Sequence, residues 1–390
     1  MTVTLDRATG TAGLTGATLH LDLAAVAHNT RYLRARSTSL MAFVKADGFN
    51  HGASQIARTA LANGADRLGV TSLAEAHELR DAGLRAPILS WLNPPQAEWA
   101  DAIRRRIALA VPSLDHLDAI SRAALKQNQP ALIHLQADVG MARDGAAPAD
   151  WAELTRRAER AEQTGLVQVV GLMGHLANAA NGPDELGRRR YERFLATAAD
   201  AGLRNRPRHL AATAATLTDP DSLYDFSRIG AGLYGIEDGH DRTTQLHWAL
   251  NLSAPVVSVR DVDAGVGIGY RHTHLTATPT RLATLPLGYA DGLPRAASGR
   301  AEVFLHGRRC PIIGLVSMDQ VVVDAGDSPV TVGETATIFG PGDHGEPTPD
   351  DWAAWSDTIP HEILTGLGHR LIRTVRTETS TETAANKEQA

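Results

Sequence analysis

Between about residues 19 and 236 the chain repeats one pattern: a short β-rich run, a turn, and a helix of about three turns. That alternation is the signature of parallel strands joined by crossover helices. Strands are expected at 41–45, 67–71, 88–92, 107–111, 132–137, 168–174 and 209–212, with an eighth near 229–236. Helices are expected at 53–65, 73–82, 97–106, 114–127, 150–164 and 184–201. Eight strands alternating with helices over about 220 residues suit a closed (β/α)8 barrel, and an open doubly wound sheet is the alternative.

After Leu246 the texture changes to short β-branched runs set off by Gly, Pro and Asp, at 255–259, 281–286, 301–305, 321–324 and 335–339. Such spacing argues a second, mostly β domain. The expected organisation is therefore a barrel over 13–246, a β domain over 247–376 that could also take in residues 1–12, and a disordered tail at 377–390, which is polar without an apolar period.

Other features narrow the function. A net charge of -6 leaves no polybasic surface for nucleic acid or anionic membrane. The single cysteine, Cys310, excludes an intrachain disulfide framework and any multi-thiolate zinc site. The 16 histidines show no spacing such as H-E-x-x-H, so no metal is implied. The first residues lack the apolar core of a signal peptide and no run is long enough to span a bilayer, so a cytoplasmic setting is expected.

In a barrel, the loops at the C-terminal strand ends build the site. Lys45 ends the apolar run 40–44, and Arg143, His175, His209 with Thr213, and Arg228 stand at corresponding places. An isolated lysine at a strand end more often snorkels to water. A desolvated one is a reagent, able to bond a carbonyl carbon as a Schiff base.

Five motifs decide between these. They are Val44-Lys45-Ala46-Asp47 with His51-Gly52, Asp138-Val139-Gly140-Met141-Ala142-Arg143, Arg228-Ile229-Gly230 with Leu233-Tyr234-Gly235, Gly288-Tyr289-Ala290-Asp291-Gly292, and Ser317-Met318-Asp319-Gln320. In order and spacing they resemble the alanine racemase family of fold type III pyridoxal-phosphate enzymes, over about residues 17 to 373.

The resemblance implies interconversion of L- and D-alanine, with D-alanine supplied for cell-wall synthesis, on pyridoxal 5'-phosphate held in a head-to-tail homodimer. Racemisation needs two bases, one on each face of Cα. The resemblance makes Lys45 the cofactor-bearing base and Tyr270, from the partner subunit, its opposite. A phenol is a poor base at neutral pH, so Tyr270 would need cationic neighbours or a polar network. The resemblance sets Arg228 against the pyridine nitrogen, Thr213 with the backbone of Gly230 and Ala231 at the phosphate, and His175 against the ring, with His209 supporting from behind. Arg143, Tyr289 and Met318, the last from the partner chain, are implied at the substrate.

Four positions depart from the family's usual pattern. Phe49 stands where a phosphate-binding tyrosine is common, Gln136 where a carbamylated lysine often braces the arginine matching Arg143, Ala212 where asparagine is common, and His369 near another tyrosine's place. Gln136 is thus expected to hold Arg143 itself. These departures keep open a racemase of another amino acid. A decarboxylase is disfavoured by Arg228 and by the isolated Cys310, and a non-catalytic cofactor-binding relative by the second domain and Tyr270.

Overall fold

The computed structural model describes residues 16–237 and 245–376. The expected tail at 377–390 and residues 1–12 lie outside the described residues. The described chain forms two compact units, one within 26–246 and one joining 16–25 to 247–376.

The first unit carries eight parallel strands: Leu40–Phe43, Arg67–Val70, Ile88–Ser90, Ile107–Val111, Ala131–Gln136, Val167–Met173, Arg208–His209 and Ser227–Ile229. From the first to the seventh each pairs with its neighbour in sequence, and the eighth pairs with the first. Asp225 N–H donates to Arg208 O and Arg228 N–H to Ala211 O, both at 2.9 Å, which closes the remaining gap. The result is a near-closed barrel, and the open doubly wound sheet is excluded. Strands such as Leu40–Phe43 and Ile107–Val111 are buried throughout, as a parallel sheet covered by helices requires. Met41, Phe43, Leu89, Ala108, Ala110, Met173 and Phe226 pack together, small alanines making room for large rings.

The helices start and stop where local chemistry directs. Ser113 caps Leu114–Gln127, and Asn128 ends it in the left-handed region. Ser72 and Glu75 form a capping box at Leu73–Asp81. The eighth strand is shorter and earlier than expected: past Ile229, the run Ala231–Tyr234 is a 3-10 turn. Its apolar residues are buried for packing, with the Tyr234 hydroxyl donating to Phe43 O at 3.1 Å.

The second unit is mostly β. One sheet runs in the order Ser258–Val262, Thr280–Leu285, Val321–Gly326, Arg308–Ile313, Glu302–Leu305, Thr335–Phe339, Leu250–Pro255, Thr18–Asp22 and Ile372–Arg376. Residues 18–22, inside the expected barrel span, pair antiparallel with Leu250–Pro255 and parallel with Ile372–Arg376. The expected strand at 255–259 spans a break between two strands, because the chain leaves one partner at Pro255 and joins another at Ser258. Val321–Gly326 alternates buried and half-buried residues, the period-2 pattern of a sheet covered on one face. Gly267–Ile268 and His274–Leu275 form a separate ribbon that carries Tyr270 at its turn. Among the described residues no helix is long and apolar enough to cross a membrane.

Candidate functional site

Lys45 follows the first barrel strand, and the five residues after it, 46–50, all have positive φ, between 51° and 67°. Left-handed geometry costs a non-glycine residue roughly 1 kcal/mol, so such a turn needs external restraint. Several bonds supply it. Gly48 N–H donates to Val44 O at 2.9 Å and Gly52 N–H to Asp47 O at 2.8 Å. Asp47 Oδ1 accepts from Ala53 N–H at 2.8 Å, and Glu75 Oε1 accepts from Ala46 N–H at 2.7 Å. The turn directs the half-buried Lys45 towards Trp91, whose ring centroid lies 5.3 Å from Nζ. Burial lowers the lysine's proton affinity, Arg143 lowers it further, and Glu75 opposes both. A larger fraction of Lys45 is therefore the nucleophilic free amine than an exposed lysine supplies.

Arg228 is buried in the middle of the short eighth strand and held by five contacts. Nη1 donates to His209 O at 2.9 Å and lies 3.0 Å from His209 Nδ1. Nη2 reaches Gly174 O at 2.7 Å, Leu210 O at 3.0 Å and His175 Nδ1 at 3.1 Å. Both Nη groups are thus engaged, while Nε–H has no partner among the described residues and remains a donor for a ligand. Burial lowers the guanidinium to about 10, and it stays charged at neutral pH. Burial first, then the positive charges of Arg228, Arg143 and Lys45, push His175 down to about 3, so its imidazole is neutral and can accept from Arg228. The structure thereby brings Lys45, Arg143, His175, His209 and Arg228 to the C-terminal end of one barrel.

Thr213 is buried and its Oγ1 accepts from Gly232 N–H at 3.2 Å, leaving the hydroxyl proton to donate elsewhere. It stands beside the turn that contains Gly230 and Ala231. Phe49 is buried and stacks on Tyr234 with ring centroids 4.6 Å apart. Its Cζ sits 3.4 Å from where a side chain at Gly230 would begin, so a hydroxyl on this ring would reach towards the same turn. Ala212 gives the helix Thr213–Thr218 no side-chain cap.

A cavity of about 260 Å³ is lined by Trp91, Gln136, Val139, Met141, Arg143 and His175. Here one expectation is corrected: Gln136 does not hold Arg143. Its Nε2–H donates to Asp144 Oδ2 at 3.2 Å, and the carboxylate fixes that orientation because it can only accept. Gln136 Oε1 is left buried without a partner among the described residues, as is Trp91 Nε1. Arg143 is exposed, 5.9 Å from the centre of the Trp91 ring, with no hydrogen bond or ion pair among the described residues.

In the β unit, Tyr270, Tyr289 and Met318 are exposed at 73%, 42% and 52%. Tyr289 N–H donates to Ser317 O and Ala290 N–H to Met318 O, both at 3.0 Å, so two of the motifs lie against each other. Any side chain at Gly288 would collide with the Ser317 carbonyl, which explains the glycine. Arg370 braces the pair, donating from Nε and Nη2 to Asp291 at 2.9 and 2.8 Å and from Nη1 to Asp319 at 2.7 Å. His369 is exposed beside it.

Sequence reasoning missed three residues. Glu75 carried a partial signal in its capping-box spacing. Trp91 stood at a strand end like the other site residues. His134 lay two positions before Gln136 and so on the same strand face, but nothing local distinguished it.

The family profile described as alanine racemase, N-terminal domain, matches residues 21–238, and that of the C-terminal domain matches 249–375. The chain is 44% identical over 360 residues to an alanine racemase of Thermobifida fusca, covering 90% of this chain and 96% of that one. It is 40% identical over 379 residues to one of Mycolicibacterium smegmatis, covering 95% and 97%. The solved alanine racemase of D-cycloserine-producing Streptomyces lavendulae superposes with a TM-score of 0.90 at 40% identity, over 93% of this chain and 98% of that one. The Bartonella henselae enzyme, solved with covalently bound pyridoxal phosphate, gives 0.85 at 27% identity over 93% and 100%. With both domain profiles matched and relatives of this identity along most of its length, the chain belongs to the alanine racemase family.

Proposed function

We propose that the chain is a cytoplasmic, pyridoxal-phosphate-dependent alanine racemase that works as a homodimer with shared sites and supplies D-alanine for cell-wall synthesis. The observation that carries this reading is Lys45, an amine with lowered proton affinity, at the same barrel end as a buried arginine with one free donor. The residues fit the cofactor: an amine for its aldehyde, the Arg228 Nε–H for its ring nitrogen, and the Thr213 hydroxyl with the Gly230 and Ala231 backbone for its phosphate. When bound, the cofactor accepts the electron pair left on Cα as the proton departs.

The protein's residues supply the rest. Lys45 carries a proton on one face of Cα and Tyr270 of the partner subunit carries it on the other. Arg228 is a donor that keeps its proton at neutral pH, so it would hold the ring nitrogen as an acceptor and favour return of the proton. His175, neutral, would lie against the ring. Arg143 offers a guanidinium to an anionic group, and the backbone at Met318 with Tyr289 completes the substrate pocket. The homodimer is supported by the exposure of Tyr270, Tyr289 and Met318, three large side chains that a partner surface would cover.

The test is α-proton exchange in D2O across a panel of amino acids with the cofactor-loaded protein. Alanine should exchange fastest from both enantiomers. Preference for another amino acid would transfer the reading to a different racemase, the alternative to which Gln136 holding Asp144 and leaving Arg143 unbraced belongs. Cofactor binding without any exchange, or carbon dioxide release, would overturn it.

A further inference from the structure

Behind Arg228 lies a buried polar chain that the mechanism above does not use. His209 Nε2 is 2.9 Å from His134 Nδ1, the two rings are nearly perpendicular, and the residues are 0% and 4% exposed. We propose that His134 is a positioning residue that fixes the tautomer of His209 and so holds Arg228 as a rigid donor to the cofactor's ring nitrogen. This rests on the role given to Arg228 above.

The tautomers follow from what arginine can do. A guanidinium has only donors, so His209 Nδ1, 3.0 Å from Arg228 Nη1, must present a lone pair. The proton of neutral His209 is then on Nε2, and it faces His134 Nδ1, which must accept. One donor direction therefore runs from Arg228 through His209 to His134. Both imidazoles are kept neutral by burial and by nearby arginines, Arg228 and Arg67 for each.

The local backbone is shaped around His134. In the pairing of Ala131–Gln136 with Val167–Met173 the register slips between Ile133 and His134, so that Ile133 faces Val169 but His134 faces Gly171. Such bulges redirect side chains next to sites. At Gly171 any side chain would overlap the His134 ring, although the backbone there has no positive φ and would accept one. The glycine is present for space, and the imidazole occupies it.

Without the His134 lone pair, the His209 Nε2–H would be orphaned in a dry interior. Moving that proton to Nδ1 relieves the orphan but turns a donor towards Arg228, which then loses one of its five contacts.

The experiment compares holoenzyme of the parent, His134→Gln and His134→Leu. Glutamine offers Oε1 to His209 and leucine offers nothing. Nitrogen-15 spectra of labelled histidine report the His209 tautomer directly, beside the cofactor absorption band and kcat and KM for alanine. In the parent and His134→Gln, His209 should be protonated on Nε2. In His134→Leu the tautomer should shift, the absorption band should move, and kcat should fall about tenfold, as for one lost hydrogen bond, with KM little changed. A His209 protonated on Nδ1 in the parent would overturn the proposal even if the leucine variant does not fold. So would an unshifted tautomer in His134→Leu, or a glutamine variant as impaired as leucine. A shifted tautomer with unchanged absorption and kcat would instead overturn the role of Arg228, and this proposal with it.

Discussion

The two units hold their candidate residues in opposite ways. At the barrel end, Arg228 is buried and fixed by three carbonyls and two imidazoles, and Lys45 leaves a left-handed turn pinned from several sides. In the β unit, Tyr289 and Met318 project from loops braced by Arg370, Tyr270 projects from the turn of a ribbon, and all three are exposed. Hydrogen bonds in a dry interior are strong and hold one geometry, whereas exposed groups take their electrostatics from whatever covers them. Arg228 and the turn behind Lys45 are therefore set before any ligand arrives, while Arg143 stays exposed. Those of the β unit stand exposed, and in the proposed homodimer a partner surface would set their surroundings.

The comparison is tested most severely at Lys45. Lys45→Ala should remove the cofactor's visible absorbance and cut racemisation by at least about 10³-fold, since it deletes both the attachment point and one base. Retained absorbance would show that the barrel end does not hold the cofactor covalently.

A matched pair of substitutions separates the two regions by stability. Arg228→Met leaves the carbonyls of Gly174, His209 and Leu210 without their donor inside the barrel, and should destabilise it by about 3 kcal/mol. Arg370→Met takes a partly exposed arginine from Asp291, which keeps the Gly288 N–H as a donor, and should lower the urea midpoint less than Arg228→Met does. Equal effects would erase the distinction between a dry and a wetted site.

The smallest effect concerns acid. His134 and His175 are held near about 3, and His209 well below its ordinary 6.5. Above about pH 6.5 these histidines are neutral whether folded or unfolded, so they add no pH dependence. Below it the unfolded chain takes up protons that the fold refuses, and stability falls by about 1.4 kcal/mol per pH unit for each of His134 and His175, with His209 acting in the same direction. In urea titrations at pH 7, 6 and 5, His134→Gln should lose stability less steeply than the parent. Parallel slopes would mean that His134 titrates normally in the fold.

Much of this was legible in the residues. Helix 114–127 has its expected bounds, and Ser113 and Asn128 mark its two ends chemically. Lys45, Arg143, His175, Thr213 and Arg228 were legible as polar residues where apolar runs end. The eighth strand was misplaced because Leu233 and Tyr234 are apolar for packing against other elements, which no local pattern separates from a strand. His134 and His209 meet across 75 positions, and Glu75 reaches Ala46 across 29, through register and closure that periodicity does not encode. Gln136 shows the same limit: its place beside Arg143 was visible, but its choice of Asp144 was not.

The central claim is that two different groups carry protons on opposite faces of Cα, one from each region. It is tested most directly by following deuterium entry at Cα of L- and of D-alanine separately in Tyr270→Phe, loaded with cofactor, in D2O. Loss of the phenol should abolish exchange for one enantiomer while the other still exchanges through Lys45. Exchange that persists for both enantiomers, or that falls equally for both, would contradict the two-base account.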